Sequence, residues 1–126
     1  MADLTPPVPE ARQLVQTYGD GRFRIAGAVH EGSVIVFPDR TFAWAAASIE
    51  DVSEASLAAV FAGADEIDIL LLGCGRAIGP VAPDLRAALR RVKIAVEPMD
   101  TGAACRTFNV LVAEERRVAA ALIAVP

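Results

Sequence analysis

Two patterns of hydrophobic and polar positions divide the chain. From Gln13 to Trp44, short apolar stretches alternate with polar residues. They are interrupted by turn signals at Gly19-Asp20-Gly21, Glu31-Gly32 and Pro38-Asp39. This pattern predicts about four short strands in a β-meander.

The second half alternates helical periodicity with continuous apolar runs. "EDVSEASLAAVFAGA" predicts a helix with Ser53 as its N-cap, and "APDLRAALRRV" and "TGAACRTFNVLVAEE" predict two more helices. Three strands are predicted between and after them, at "EIDILLLG", "KIAVE" and "RVAAALIAV". We therefore predict an α/β fold, a three-layer single domain with a mixed β-sheet, an N-terminal β-meander and a C-terminal βαβαβ part.

The N-terminal residues predict a flexible lead over residues 1–11, followed by one α/β domain over residues 12–126. Pro6, Pro7 and Pro9 leave too few backbone N–H groups for a strand ladder. The segment has neither a basic-then-apolar signal order nor a basic amphipathic pattern, so we expect a cytoplasmic protein with reduced cysteines.

Composition narrows the function classes. The 126 residues are 54% hydrophobic, which is ample for one core and for some partner surface. A net charge of −4 lacks the footprint of a general nucleic-acid binder. No apolar run approaches the roughly 20 residues that span a bilayer.

The stretch "DILLLGCGRAIGP" resembles a dinucleotide-binding loop in part of its pattern. Gly73, Gly75 and Gly79 follow an apolar strand, and Glu97 lies downstream at the spacing of the ribose-binding acid. The glycine spacing is one residue too long, and Pro80 and the proline at the start of the next helix delay that helix. Too little chain follows for the second half of a dinucleotide fold, so we expect no cofactor.

A weaker version of that site is predicted where two parallel strands end. We name Gly73, Cys74, Gly75, Asp100, Thr101 and Cys105 the strand-exit cleft. Such a cleft could hold a small anion or a partner side chain, or the glycines could simply allow a tight strand exit. Asp100 or Thr101 is expected to cap the last helix. Cys105 could be a buried inert thiol or a reactive one, and a regulatory disulfide with Cys74 stays open.

Candidate interface residues lie elsewhere. Phe42 and Trp44 end a short strand and are either core or the aromatic centre of an interface. Arg86, Arg90 and Arg91 are either a solvated helix face or, with Arg76, a docking patch for an acidic partner. His30 is the only histidine and the cysteines are dispersed, so no metal is expected.

The sequence from Leu70 onward, with its glycine strand exit, resembles a known family. The further matches are Ile94-Ala95-Val96-Glu97, Asp100-Thr101, Ala104-Cys105, Thr107-Phe108-Asn109 and the terminal Ala-Ala-Leu-Ile. The family is the uncharacterised domain family that includes the mitochondrial complex I (NADH dehydrogenase alpha subcomplex) assembly factor. It also includes bacterial and archaeal relatives and an adipogenesis-associated relative. The resemblance implies a three-layer α/β domain with a mixed sheet and no catalytic residues.

Two hypotheses for function follow. The first, implied by the resemblance, is a non-enzymatic protein-interaction or assembly factor for respiratory complex I or another membrane complex. Its partners would be proteins, with self-association into a homo-oligomer, no nucleic acid and no direct membrane span. The lack of a targeting segment favours a bacterial cytoplasmic protein, held at the inner membrane only through partners. The alternative is a small-molecule or anion binder, or a thiol-dependent enzyme, that uses the strand-exit cleft.

Overall fold

The computed structural model describes residues 12–126, and the predicted flexible lead over residues 1–11 lies outside them. The strands are β1 (Val15–Gly19), β2 (Arg22–Ile25), β3 (Ala28–Glu31), β4 (Val34–Phe37), β5 (Arg40–Ala43), β6 (Ile69–Gly73), β7 (Ala95–Met99) and β8 (Val118–Leu122). The helices are α1 (Ala58–Ala62), α2 (Pro83–Arg91) and α3 (Thr101–Ala113). None of the helices within residues 12–126 is both long and apolar enough to cross a membrane.

The larger sheet has five strands in the order β5-β4-β8-β6-β7. β6 pairs in parallel with β7 and with β8, whereas β4 pairs in antiparallel fashion with β5 and β8. The sheet is therefore mixed, and the order β6-α2-β7-α3-β8 is the predicted βαβαβ part. The predicted α/β fold class is confirmed.

The N-terminal region differs from the predicted meander in two respects. It contains five strands rather than about four, and they divide between two sheets. β2 alternates exposed and buried positions, so it suits a small sheet with β1 and β3 that is covered on one face. All four residues of β4 are buried, so β4 needs cover on both faces and lies between β5 and β8.

Two hydrophobic cores lie on opposite faces of the five-stranded sheet. Because side chains alternate along a strand, Leu70 and Leu72 of β6 belong to one core and Leu71 to the other. The first core packs against α1 and α2 and includes Leu85. The second packs against α3 and the small sheet and includes Phe108. We call these sides the α2 face and the α3 face.

The predicted helix over "EDVSEASLAAVFAGA" is much shorter than expected. Only Ala58–Ala62 is α-helical. Ser53 and Ser56 form a reciprocal pair of bonds between backbone N–H and side-chain oxygen, 2.9 and 3.1 Å long, which is the arrangement of a capping box at the start of a helical turn. The Leu57 N–H also donates to the Ser53 carbonyl at 3.1 Å, so a single turn precedes α1. Gly63 follows α1, and the absence of a side chain there allows close contact with Phe37, because a Cβ would lie 2.8 Å from the Phe37 ring.

Candidate functional site

The structure brings the two halves of the strand-exit cleft together. β6 and β7 end side by side, with Gly73 opposite Met99. Beyond that pair, the Cys74 N–H donates to the Met99 carbonyl at 2.8 Å, and the Thr101 N–H donates to the Gly75 carbonyl at 2.8 Å. The glycine loop is therefore fastened by backbone bonds to the start of α3.

Thr101 is the central residue of this junction. Its side chain is fully buried, and its hydroxyl oxygen accepts a bond from the Gly75 N–H at 2.9 Å. The same hydroxyl donates to the Ile123 carbonyl, which follows β8, at 2.7 Å. One hydroxyl thus joins the exits of β6 and β8 to the start of α3. Both of these bonds are internal, so the group is engaged in holding the fold.

Asp100 is the cap of α3, whereas Thr101 is its first residue. The Asp100 carboxylate accepts a bond from the Ala103 N–H at 2.8 Å, which satisfies one of the free donors at the helix start. Of the two caps that the sequence left open, the structure selects Asp100.

The two glycines of the loop are needed for different physical reasons. A Cβ on Gly73 would lie 3.1 Å from the Thr101 Cα atom, so glycine allows the strand and the helix to approach closely. Gly75 has a φ of +102°, a conformation that L residues rarely adopt, and its added Cβ would meet only Ile123 at 3.9 Å. Both glycines are explained by the strand exit itself.

A small recess remains beside the cleft. It has a volume of about 250 Å³, and its walls include Gly75 and Asp100 of the cleft together with Tyr18, Arg76 and Gly102. The Tyr18 hydroxyl accepts a bond from Arg106 at 3.3 Å and lies where a Cβ on Gly102 would be. Gly102 therefore lets the small sheet contact α3 closely, and the tyrosine occupies much of the approach to the helix start.

The cysteines do not meet. Cys74 belongs to the core on the α2 face and Cys105 to the core on the α3 face, so the sheet separates them. Both are free thiols. Burial raises the pKa of Cys105 to about 12, which keeps the thiol protonated and weakly nucleophilic at neutral pH.

The two aromatic interface candidates lie in different environments. Trp44 belongs to the core, with 7% of its surface exposed, and its ring N–H donates to the Ser56 carbonyl at 2.8 Å. Phe42 lies on the edge strand β5 with 38% exposed, and it contacts Phe37 edge-on. Of the pair, only Phe42 offers an aromatic ring to a partner.

A cluster around Arg40 was not anticipated from the sequence. Its guanidinium forms two bonds to the Glu66 carboxylate, 2.9 and 2.8 Å long, and lies 4.1 Å from the centre of the Phe37 ring. The bonded Arg40 holds the pKa of Glu66 below its ordinary value. Because Arg40 and Glu66 are 26 residues apart, no local pattern signals their pairing.

Two grooves lie open on the α2 face. The first, which we call the apolar groove, has a volume of about 400 Å³, and its walls include Ile49, Val52 and Leu72. The second, the basic groove, has about 420 Å³ between α2 and β7. Of the predicted interface arginines, Arg86 and Arg90 line the basic groove, whereas Arg91 lies beside a separate recess near α1.

Comparisons with known proteins give a consistent result. The profile of a family described as "Protein of unknown function (DUF498/DUF598)" matches residues 15–123. An uncharacterised protein of Rhodobacter capsulatus is 39% identical over 112 residues, covering 89% of this chain and 85% of its own length. The NADH dehydrogenase [ubiquinone] 1 alpha subcomplex assembly factor 3 of Xenopus tropicalis is 36% identical, covering 87% of this chain and 60% of that protein. The human protein of the same name is 32% identical, covering 89% of this chain and 61% of that protein.

Solved structures show the same similarity. A crystal structure of an outer membrane protein from Bartonella henselae matches with a TM-score of 0.87 and 37% identity, covering 93% of this chain and 98% of that one. An NMR structure of a Rhodopseudomonas palustris protein matches with a TM-score of 0.81 and 40% identity, covering 100% and 94%. A Bordetella pertussis protein described as a Mth938-like domain has a TM-score of 0.79 and 28% identity, covering 98% and 92%. The resemblance predicted from the residues is confirmed.

Proposed function

We propose that this chain, which belongs to the DUF498/DUF598 family, is a non-enzymatic assembly factor acting through protein contacts. The proteins that are similar to it include complex I assembly factors. Its target would be a respiratory complex or another membrane complex. The chain spans about 60% of the frog and human assembly factors, so their role is transferred here as part of this proposal.

One observation carries the proposal on the structural side. The polar groups of the strand-exit cleft are engaged in internal bonds: the Thr101 hydroxyl with Gly75 and Ile123, and the Asp100 carboxylate with Ala103. A ligand that used these groups would have to replace bonds that hold α3 on the sheet. The open surface of the α2 face is therefore the better candidate for binding a protein partner.

The alternative function, in which the strand-exit cleft binds a small molecule or anion or acts as a thiol-dependent enzyme, stays a prediction with weaker support. A thiol-dependent reaction at Cys105 would need a thiolate, and burial raises the pKa of that thiol to about 12. The open space that the cleft offers a small anion is the recess near Tyr18 and Arg76, which the Asp100 carboxylate also lines.

The site of action that we propose is the cytoplasmic side of a bacterial inner membrane, reached through the partners. Within the described residues no helix could cross a membrane, so attachment through these helices would have to be peripheral. Self-association is part of the same proposal, with exposed Phe42 on the edge strand β5 as one contact.

Deletion of the gene followed by native gel electrophoresis of the membrane complexes tests the proposed function. We expect a respiratory or other membrane complex to be depleted and a smaller assembly intermediate to accumulate. Expression of the parent sequence should restore the depleted complex, whereas expression of a Leu71→Asp variant with a disrupted core should not. Complexes that assemble at parental levels without the protein would contradict the proposal.

A further inference from the structure

The basic groove is formed by one side of α2 and the outer edge of β7. Arg86 and Arg90 line its helix side, Lys93 lies at the turn between the two elements, and Ile94–Glu97 form its strand side. β7 is the last strand in the order β5-β4-β8-β6-β7, so no described strand covers its outer edge. The groove is therefore open along a strand that is able to pair.

Its cations lack partners. Among the described residues, no carboxylate lies within salt-bridge distance of Arg86, Arg90 or Lys93, whereas Arg40 has two such partners and Arg117 has one. Of residues 12–126, Glu97 is the only acid that lines the groove. Three neighbouring positive charges in a chain of net charge −4 are a local exception to its composition. They favour a negatively charged partner.

The backbone of β7 limits what can bind beside it. The Ala95 N–H donates toward β6, to the Asp68 carbonyl at 2.9 Å. Since N–H and C=O groups alternate in direction along a strand, those of Val96 point to the open edge. Pro98 points the same way but has no N–H, so the edge can pair over only a short length.

We propose that the basic groove binds a short acidic segment of a partner protein in an extended conformation, placed beside β7. This inference rests on the proposed function and names the contact surface for it. Backbone bonds to Val96 would fix the segment. Its alternate acidic side chains would reach Arg86 and Arg90. A nucleic acid fits less well, because the groove lining contains no aromatic side chain on which bases could stack.

Defined peptides test the proposal by fluorescence anisotropy. The probe is a labelled Glu-Val repeat peptide, compared with a Lys-Val repeat and with a Glu-Pro repeat, which keeps the charge but lacks half of the N–H groups. We expect the Glu-Val peptide to bind, the Glu-Pro peptide to bind more weakly and the Lys-Val peptide not to bind. Equal binding of the Glu-Val and Glu-Pro peptides would overturn the extended pairing. Tighter binding of duplex DNA or phosphatidylglycerol vesicles would overturn the choice of a protein partner.

The arginines provide the first set of variants. Arg86→Gln combined with Arg90→Gln should weaken Glu-Val binding about tenfold at low salt and leave the melting temperature near the parental value. Arg116 is exposed, lies outside the groove and forms no salt bridge with a described residue, so Arg116→Gln is a control for the loss of one positive charge elsewhere on the surface. Equal affinity of the double variant and the parent would contradict the proposal.

Lys93 provides a second test that separates binding from folding. It has a φ of +64° after α2, a position that favours glycine, with its N–H bonded to the Arg90 carbonyl at 2.9 Å. Lys93→Gly should therefore raise the melting temperature while weakening Glu-Val binding.

Glu115 is the matched control because it occupies the equivalent position after α3, with a φ of +60°. Glu115→Gly should raise the melting temperature without weakening binding. If both glycine variants bound the peptide as the parent does, Lys93 would have no part in the groove and the proposal would fail.

The two proposals fail in different ways. If the arginine double variant loses the Glu-Val peptide but still restores complex assembly in the deletion strain, the groove binds acidic segments and the assembly role uses another surface. If the deletion has no effect while the peptide binds, the groove is real and the proposed function is wrong.

Discussion

The α3 face and the α2 face of the five-stranded sheet are covered in different ways. On the α3 face, a helix of 13 residues and the three-stranded sheet close the core. Asn109 joins them, since its amide donates to the Val15 carbonyl and accepts from the Val15 N–H, both at 2.8 Å. On the α2 face, helices of five and nine residues leave the apolar groove and the basic groove open.

This difference separates structural polar groups from available ones. Thr101, Asp100 and Asn109 are engaged by backbone groups on the α3 side, so they stabilise the fold. Arg86 and Arg90 on the α2 side have no carboxylate partner within the described residues, so they are free to bind one from outside. Polar residues near a predicted cleft are thus poor guides to function until their hydrogen-bond partners are known.

The largest effect that we expect comes from a charge placed in β6. Leu71→Asp puts a carboxylate into the closed core of the α3 face and should cost about 4 kcal/mol or more of unfolding free energy. Leu72→Asp lies one residue later; Leu72 is also buried, but it lines the apolar groove, so an aspartate there has open space beside it that water can enter. Its cost should be smaller, about 2 to 3 kcal/mol. Urea unfolding of both variants measures this, and a larger loss for Leu72→Asp would contradict the difference between the faces.

Removal of the amide link on the α3 face should have the next largest effect. Asn109→Ala leaves the N–H and C=O groups of Val15 without their partner and should cost about 2 kcal/mol. Ser53→Ala removes an exposed turn bond on the α2 side and should lower the unfolding free energy by no more than about 0.5 kcal/mol. Chemical denaturation compares them. Similar losses at the two sites would mean that the faces are held with similar strength.

The glycine loop offers a smaller contrast. Gly75→Ala should cost about 1 kcal/mol because alanine rarely adopts a φ of +102°, and little else opposes the added Cβ. Gly79→Ala, at the apolar groove, would bring its Cβ within 3.2 Å of half-buried Ile49, which has open space beside it. We expect a lower cost there, and thermal melts would measure it. A Gly79→Ala loss above that of Gly75→Ala would show that the groove wall is rigid.

The smallest effect concerns pH. The Arg40 bonds hold the pKa of Glu66 below its ordinary value, so this pair stabilises the protein above the ordinary glutamate pKa. That contribution is lost as pH falls through the lowered folded-state pKa. Melting temperatures across acidic pH should show the parent converging on Glu66→Gln, with exposed Glu54→Gln as the control. A gap between parent and Glu66→Gln that persists below that range would disprove the ionised pair.

Local signals explain which parts of the fold were predictable. Pro83 starts α2 where the sequence predicted, and Asp100, one of the two predicted caps, caps α3, because both effects act within one helical turn. The apolar run of β6 likewise marked a strand with cover on both faces. Each of these features depends on neighbouring residues only.

Features that depend on distant pairing were not predictable. β4 leaves the meander because it pairs with β8, more than 80 residues later. Cys74 and Cys105 both lie near the ends of adjacent strands in the sequence. The sheet nevertheless separates them, because they belong to the cores on its opposite faces. The bond from Thr101 to Ile123 across 22 residues also had no local signal, so the cleft resembled a ligand site in the sequence.

The most direct test of this account measures partner binding and melting temperature together for Thr101→Val and for the Arg86→Gln, Arg90→Gln double variant. Valine keeps the shape of Thr101 but loses both hydroxyl bonds, so we expect about 2 kcal/mol of lost stability, with binding reduced only as far as unfolding explains. The double variant should keep its stability and lose binding of the Glu-Val peptide and of the native partner. A Thr101→Val protein of near-parental stability that no longer binds, beside a double variant that binds normally, would contradict the account and place function in the cleft.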